Sequence, residues 1–148
     1  MNVLIVSDEP ERKSFTQISS LKKEIMRLDR NKVDSFTFSK KGIFLNEERI
    51  GNNVGIALKL LESLLNERTY RLIVISLDLN NLRKLFLENQ NILNLIKSTS
   101  PQTDTFLFGA SSVLDKLKKE KTAHVFLYSR PDVSKLTKDF KNDVINHI

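Results

Sequence analysis

The chain has 148 residues, with 24 Lys and Arg against 18 Asp and Glu for a formal charge of +6, no Cys or Trp, four Gly and three Pro. That length is one domain able to bury its own core, and the 40% hydrophobic, 28% charged composition excludes a disordered chain. No apolar run reaches the about eighteen residues of a membrane span, and the lack of Cys excludes disulfides, zinc–thiolate sites, thiol nucleophiles and iron–sulfur clusters.

Residues 1–7 (MNVLIVS) form a continuous apolar run, as expected for a strand buried on both faces. The acids of SDE follow where a signal peptide would continue, so a cytoplasmic location is expected. Asp8-Glu9-Pro10 opens a helix whose apolar stripe is Phe15, Ile18, Leu21, Ile25 and Leu28. Residues 33–39 (VDSFTFS) alternate as a strand, Lys40-Lys41-Gly42 signals a turn, and residues 43–50 alternate again, which predicts a β-hairpin over about 33–50. Gly51-Asn52-Asn53 breaks that pattern before a helix bearing Ile56, Ala57, Leu60, Leu61, Leu64 and Leu65. A buried strand is expected over 72–77 (LIVISL), then helical spacing through Leu82, Leu85, Phe86, Leu93 and Ile96. Residues 103–108 read as a fourth strand closed by Gly109-Ala110-Ser111-Ser112, with Ser111 or Ser112 capping a helix that carries Val113, Leu114 and Leu117. A fifth strand is expected over 123–128. After Arg130-Pro131 a last helix presents Val133, Leu136, Phe140, Val144 and Ile148.

Strands and helices thus alternate five times, which predicts one α/β domain over 1–148, a parallel sheet with helices on both faces. Ligands of such sheets bind beyond the carboxyl ends of the strands. The residues there are Ser7 and Asp8, then Asp78 with Asn80, Gly109 to Ser111, and Arg130. If the strands are neighbours, Asp8 and Asp78 converge, and two close carboxylates need a cation between them. Mg²⁺ suits an oxygen-ligand crevice, and Arg130 could supply the charge instead. Taken singly, Asp8 and Asp78 are ordinary acids at helix starts. Their joint placement with Arg130 is what raises a functional reading. Ser7, Ser111 and Ser129 have no His partner for a hydrolase triad, two histidines are too few for a His-rich metal site, and neither GxGxxG nor a P-loop is present. The lysines at 116, 118, 119, 121, 135, 138 and 141 could meet nucleic acid. They are interleaved with Asp115, Glu120, Asp139 and Asp143 and lack aromatic company, so solvated helix faces are favoured.

VLIVSDEP (residues 3–10) resembles the VLIVDDEP opening of response-regulator receiver domains of two-component signalling. ISLDLNN (75–81) resembles the strand end that carries that family's phospho-acceptor, FLFGAS (106–111) its fourth strand end, and LYSRPD (127–132) its Thr-Lys-Pro-Phe turn. The resemblance implies a flavodoxin- or receiver-like three-layer α/β/α fold with a five-stranded parallel sheet of order 2-1-3-4-5, the hairpin being an addition. It implies Asp78 as phosphoryl acceptor and Mg²⁺ held by Asp8, Asp78 and Asn80. Gly109, Ser111 and Arg130 stand where the family reads the phosphoryl group. The chain departs from the pattern at Ser7 (an acid in the family), Gly109 (a hydroxyl), Arg130 (a lysine) and Leu127 (an aromatic). Arginine stays charged and forks onto carboxylates, so it could hold Asp8 or Asp78 in a permanent pair.

The departures favour a pseudo-receiver, a non-enzymatic signalling module acting by protein–protein interaction. An exposed Ile43-Phe44-Leu45 edge would invite a homodimer. A working phospho-switch at Asp78 is the second reading. A Rossmann-like nucleotide- or anion-binding sensor using Arg130 and the helix starts at Ser111-Ser112 and Asn52-Asn53 is the alternative. A DNA-binding role is the fourth reading, since a separate helix-turn-helix is not expected after the last helix.

Overall fold

The structure, a computed structural model, describes residues 2–8, 13–28, 32–39, 41–77, 92–117, 124–130 and 137–148, with the backbone alone at 13–17, 54, 113, 116, 129 and 130. Among the described residues seven strands form one mixed sheet: β1 (Asn2–Asp8), β2 (Lys32–Ser39), β3 (Gly42–Leu45), β4 (Glu48–Gly51), β5 (Leu72–Ser76), β6 (Asp104–Ala110) and β7 (Val125–Arg130). The helices are α1 (Lys13–Arg27), α2 (Ala57–Glu67), α3 (Ile92–Thr99), α4 (Ser111–Leu117) and α5 (Lys138–His147). The strand order is β4-β3-β2-β1-β5-β6-β7. β2, β1, β5, β6 and β7 run parallel, while β3 and β4 are antiparallel additions beyond β2.

Helices cover both faces, so the α/β three-layer class expected from the alternation is the one observed. Alternate residues of a strand point to opposite sides. Leu4, Val6, Ile73, Ile75 and Leu107 meet Leu61, Leu64, Ile96 and Leu114 of α2, α3 and α4. Val3, Ile5, Val74, Phe106 and Phe108 meet Ile18, Leu21, Ile25, Phe140 and Val144 of α1 and α5. This double coverage is why β1 and β5 read as unbroken apolar runs.

The hairpin region is a three-stranded meander. Gly42, at φ +127°, turns β2 into β3, and a Cβ there would collide with the Gly51 carbonyl. The run expected as one strand over 43–50 divides at Asn46 and Glu47, both left-handed at φ 51° and 72°, as a two-residue hairpin turn requires. Ile43-Phe44-Leu45 therefore pairs with β2 on one side and β4 on the other. The open edge expected there belongs to β4, whose Glu48 and Arg49 are exposed.

Other boundaries moved for local reasons. β6 extends through Gly109 and Ala110 and passes directly into α4, so Ser111 is the helix's first residue and not a loop cap. β7 starts two residues later than expected because His124 sits at φ 67° and turns the chain. Leu28 lies past α1 and is 39% exposed, outside the expected stripe. Asn53 caps a 3₁₀ turn (Val54–Ile56) by accepting from the Gly55 N–H at 2.8 Å, so α2 itself begins at Ala57. Thr137 caps α5 by accepting from the Phe140 N–H. The readings on Glu9, Pro10, Leu82, Leu85, Phe86, Val133 and Leu136 lie outside the described residues.

Candidate functional site

Parallel pairing puts the carboxyl ends of β2, β1, β5, β6 and β7 on a single edge of the sheet. Ser7 is level with Ser76, Ser76 with Phe108, Gly109 with Ser129 and Ala110 with Arg130. The last described residue before Asp78 is Leu77, fully buried next to the end of β1. The readings on Asp78 and Asn80 themselves lie outside the described residues.

Asp8 closes β1, opposite Phe38 of β2, and is only 1% exposed. A carboxylate that deep must be compensated, and Asp8 is not without a partner in the fold. Ser7, 4% exposed, faces the other way: with Ile5 it turns to the α1 side, whereas Asp8 follows Leu4 and Val6 to the α2 side. Gly109 is a buried strand residue and offers no side-chain donor. Ser111 is half-buried at the start of α4. Arg130 ends β7 by backbone, its side chain lying outside the described set.

For Mg²⁺, Asp8 is the one carboxylate among the described strand-end residues, a suitable hard donor. Ser7 cannot join it, because alternation separates the two side chains. Among the described residues no group of three His, Asp or Glu side chains is arranged to hold a metal.

No family model matches the chain, and no curated protein matches it.

Two polar clusters that sequence reasoning missed lie at the opposite, amino-terminal edge. Asp34 Oδ2 accepts from the Tyr70 hydroxyl at 2.7 Å and from Arg68 at 2.8 Å, and Oδ1 accepts from Asn46 Nδ2 at 2.9 Å. Partial burial alone would raise this carboxyl; the hydrogen bonds from Tyr70, Asn46 and Arg68 outweigh it and hold it below the usual carboxylate range. The Tyr70 hydroxyl is pushed up, by burial first and then by Asp34. Asp104 similarly accepts from His124 Nδ1 at 2.7 Å and His147 Nε2 at 2.6 Å. Burial opposes ionisation there too, and the two imidazoles overcome it, leaving the carboxyl below its ordinary value. In each cluster both carboxylate oxygens are engaged, so these acids fasten chain segments together instead of presenting a reactive group. Their partners lie 12 to 43 residues away in sequence, beyond the reach of any local pattern.

The third feature missed is a cavity of about 380 Å³ between α1 and the meander. Its sequence cue was present in VDSFTFS: aromatics on one face of β2, small hydroxyls on the other.

Among the described residues no helix is long and apolar enough to cross a membrane.

Proposed function

We propose that the chain is an atypical receiver-like signalling module that works by protein–protein recognition, with little or no phosphotransfer at Asp78. The observation that carries this reading is the order of the parallel strands. Counted among themselves, β2-β1-β5-β6-β7 run second, first, third, fourth, fifth, so the ends of β1 and β5 are neighbours. That order supports the likeness of VLIVSDEP and ISLDLNN to receiver strand ends, as an analogy of fold and motif. The departures at Ser7, Gly109 and Arg130 argue that the rim has lost its phosphoryl-reading groups. Ser7 brings no charge to a cation, Gly109 brings no hydroxyl, and β6 enters α4 without an intervening loop.

The recognition surface we favour is the edge formed by β7 and α5. β7 is the last strand of the sheet, and its Phe126 is 42% exposed. The ring stacks on Phe106 at 4.9 Å between centroids, which holds it rigid and ready to pack. A second copy of this chain is the partner we propose. Light scattering at micromolar concentration should give a dimer that Phe126→Glu converts to a monomer. A monomeric mass for the unaltered protein would remove the self-association claim. For the phosphotransfer claim, acetyl phosphate and Mg²⁺ followed by intact mass should leave the protein unmodified. A phosphoryl adduct that disappears in Asp78→Asn would replace the pseudo-receiver with a working switch.

A further inference from the structure

Beyond Val33, which packs on the α1 side, β2 carries its apolar residues on one face only. Phe36 and Phe38 enter the core under α2, their rings 6.1 Å apart and edge-on. Ser35, Thr37 and Ser39 point the other way, toward α1. A strand covered on both faces is normally apolar on both. Here the far face is hydroxylated, and β3 extends the sheet past α1. The result is the cavity of about 380 Å³, roofed by Ile18 and Lys22 of α1 and walled by Phe44 of β3. Pockets that hold small ligands start at about 300 Å³ and combine apolar walls with a few converging polar groups.

The polar groups are ordered along the cavity. Register puts Ser39 opposite Gly42, Thr37 opposite Phe44 and Phe36 opposite Leu45. Lys41 therefore stands at the Ser39 end and Glu47 at the Ser35 end, with Phe44 between them. Lys22 is half-buried on the overhanging helix, and the Arg49 guanidinium lies 5.7 Å from the Phe44 ring centroid. Cations thus outnumber the single acid Glu47. Among the described residues no protein partner takes up the side-chain hydroxyls of Ser7, Ser35 or Thr37.

The geometry points to a binding site for a nucleoside monophosphate: phosphate toward Lys41 and Lys22, sugar hydroxyls on Ser39 and Thr37, the base against Phe44 with its N–H groups toward Glu47 and the Ser35 hydroxyl. A flat ring, a polyol and a dianion joined in that order match the aromatic wall, the hydroxyl floor and the cationic mouth. The site lies on the α1 face of the sheet, opposite the side to which Asp8 turns, and shares only Ser7 and Ser39 with the strand-end rim. It stands or falls independently of the receiver-like reading.

Amide NMR spectra of the whole chain, titrated with AMP and GMP, test it, with inorganic phosphate and adenosine as partial ligands. The expected result is saturable binding with a Kd of about 1 mM or tighter, and shifts centred on Ser35, Thr37, Lys41 and Phe44. Inorganic phosphate and adenosine should each bind more weakly. Lys22→Glu with Lys41→Glu should weaken binding at least about tenfold by reversing two charge-assisted contacts, and Thr37→Val should weaken it without loss of fold. The proposal is overturned if neither nucleotide saturates, if the shifts gather at Gly109, Ser111 and Arg130 instead, or if both variants bind as the unaltered chain does.

Discussion

The Asp34 carboxylate joins the β3–β4 turn, through Asn46, to the segment between α2 and β5, through Arg68 and Tyr70. Asp34→Ala strands the partly buried Tyr70 hydroxyl and should cost about 1–3 kcal/mol by chemical denaturation. The pH dependence follows from the lowered carboxyl. As pH falls, the unfolded chain takes up this proton first, so the stabilisation is complete above the ordinary carboxyl value of about 4 and is lost as pH drops through the folded value. Asp34→Asn should flatten the stability–pH curve below about pH 4 relative to the unaltered chain; an unchanged slope would mean the carboxylate contributes nothing. Thr105 is the contrary case. It is fully buried, and among the described residues its Oγ1 has no hydrogen-bond partner. Thr105→Val keeps the shape and removes an unpaired hydroxyl, so stability should be unchanged or rise by about 1 kcal/mol.

Among the elements, the β3–β4 turn is the least comfortable. Asn tolerates the left-handed region, and Asn46 is further held by donating its backbone N–H to the Ser35 carbonyl and by its side-chain bonds. Glu47 has no such excuse at φ 72°, and a non-glycine residue there costs about 1–2 kcal/mol. Glu47→Gly should raise the melting midpoint, by the equivalent of about 1 kcal/mol once the added freedom of the unfolded chain is subtracted. The same turn shows why the meander was read as a plain hairpin. Asn-Gly would have marked it; Asn-Glu inside an alternating run did not. The β-periodicity of 43–50 was legible, while the break within it depended on long-range bonds from Asn46 to Asp34 and Ser35. At the other end of the chain Pro131 predicts a helix start directly after it, whereas Thr137 caps α5 at Lys138. Thr137→Ala should cost about 1 kcal/mol, read as lower helix protection.

For the whole molecule, the centre of gravity is β1 with β5. Both are paired on each side and covered on each face. Their amides should exchange only by global unfolding, while those of β4 and β7 exchange through local opening. Val74→Ala, at the middle of β5, should cost about 2–4 kcal/mol; a smaller loss would show that the α1-side core relaxes around the missing methyls. The layer architecture was legible because 3.6-residue and two-residue periods alternate clearly along the chain. So was the gathering of strand ends, since parallel strands must share an edge. The cavity was legible only in part: VDSFTFS shows the hydroxylated face of β2, but the space itself arises from the reach of β3 past α1, a relation between elements that no window of sequence contains.

Ala110 is the last residue of a strand and Ser111 the first of a helix. A joint of that kind has no loop to flex. Any push applied to α4 from outside must be taken up by β6 itself, and through its ladder by β7, as a lever turns the shaft to which it is keyed. A hinge would absorb such a motion locally; this junction passes it to the Phe126-bearing edge of the sheet.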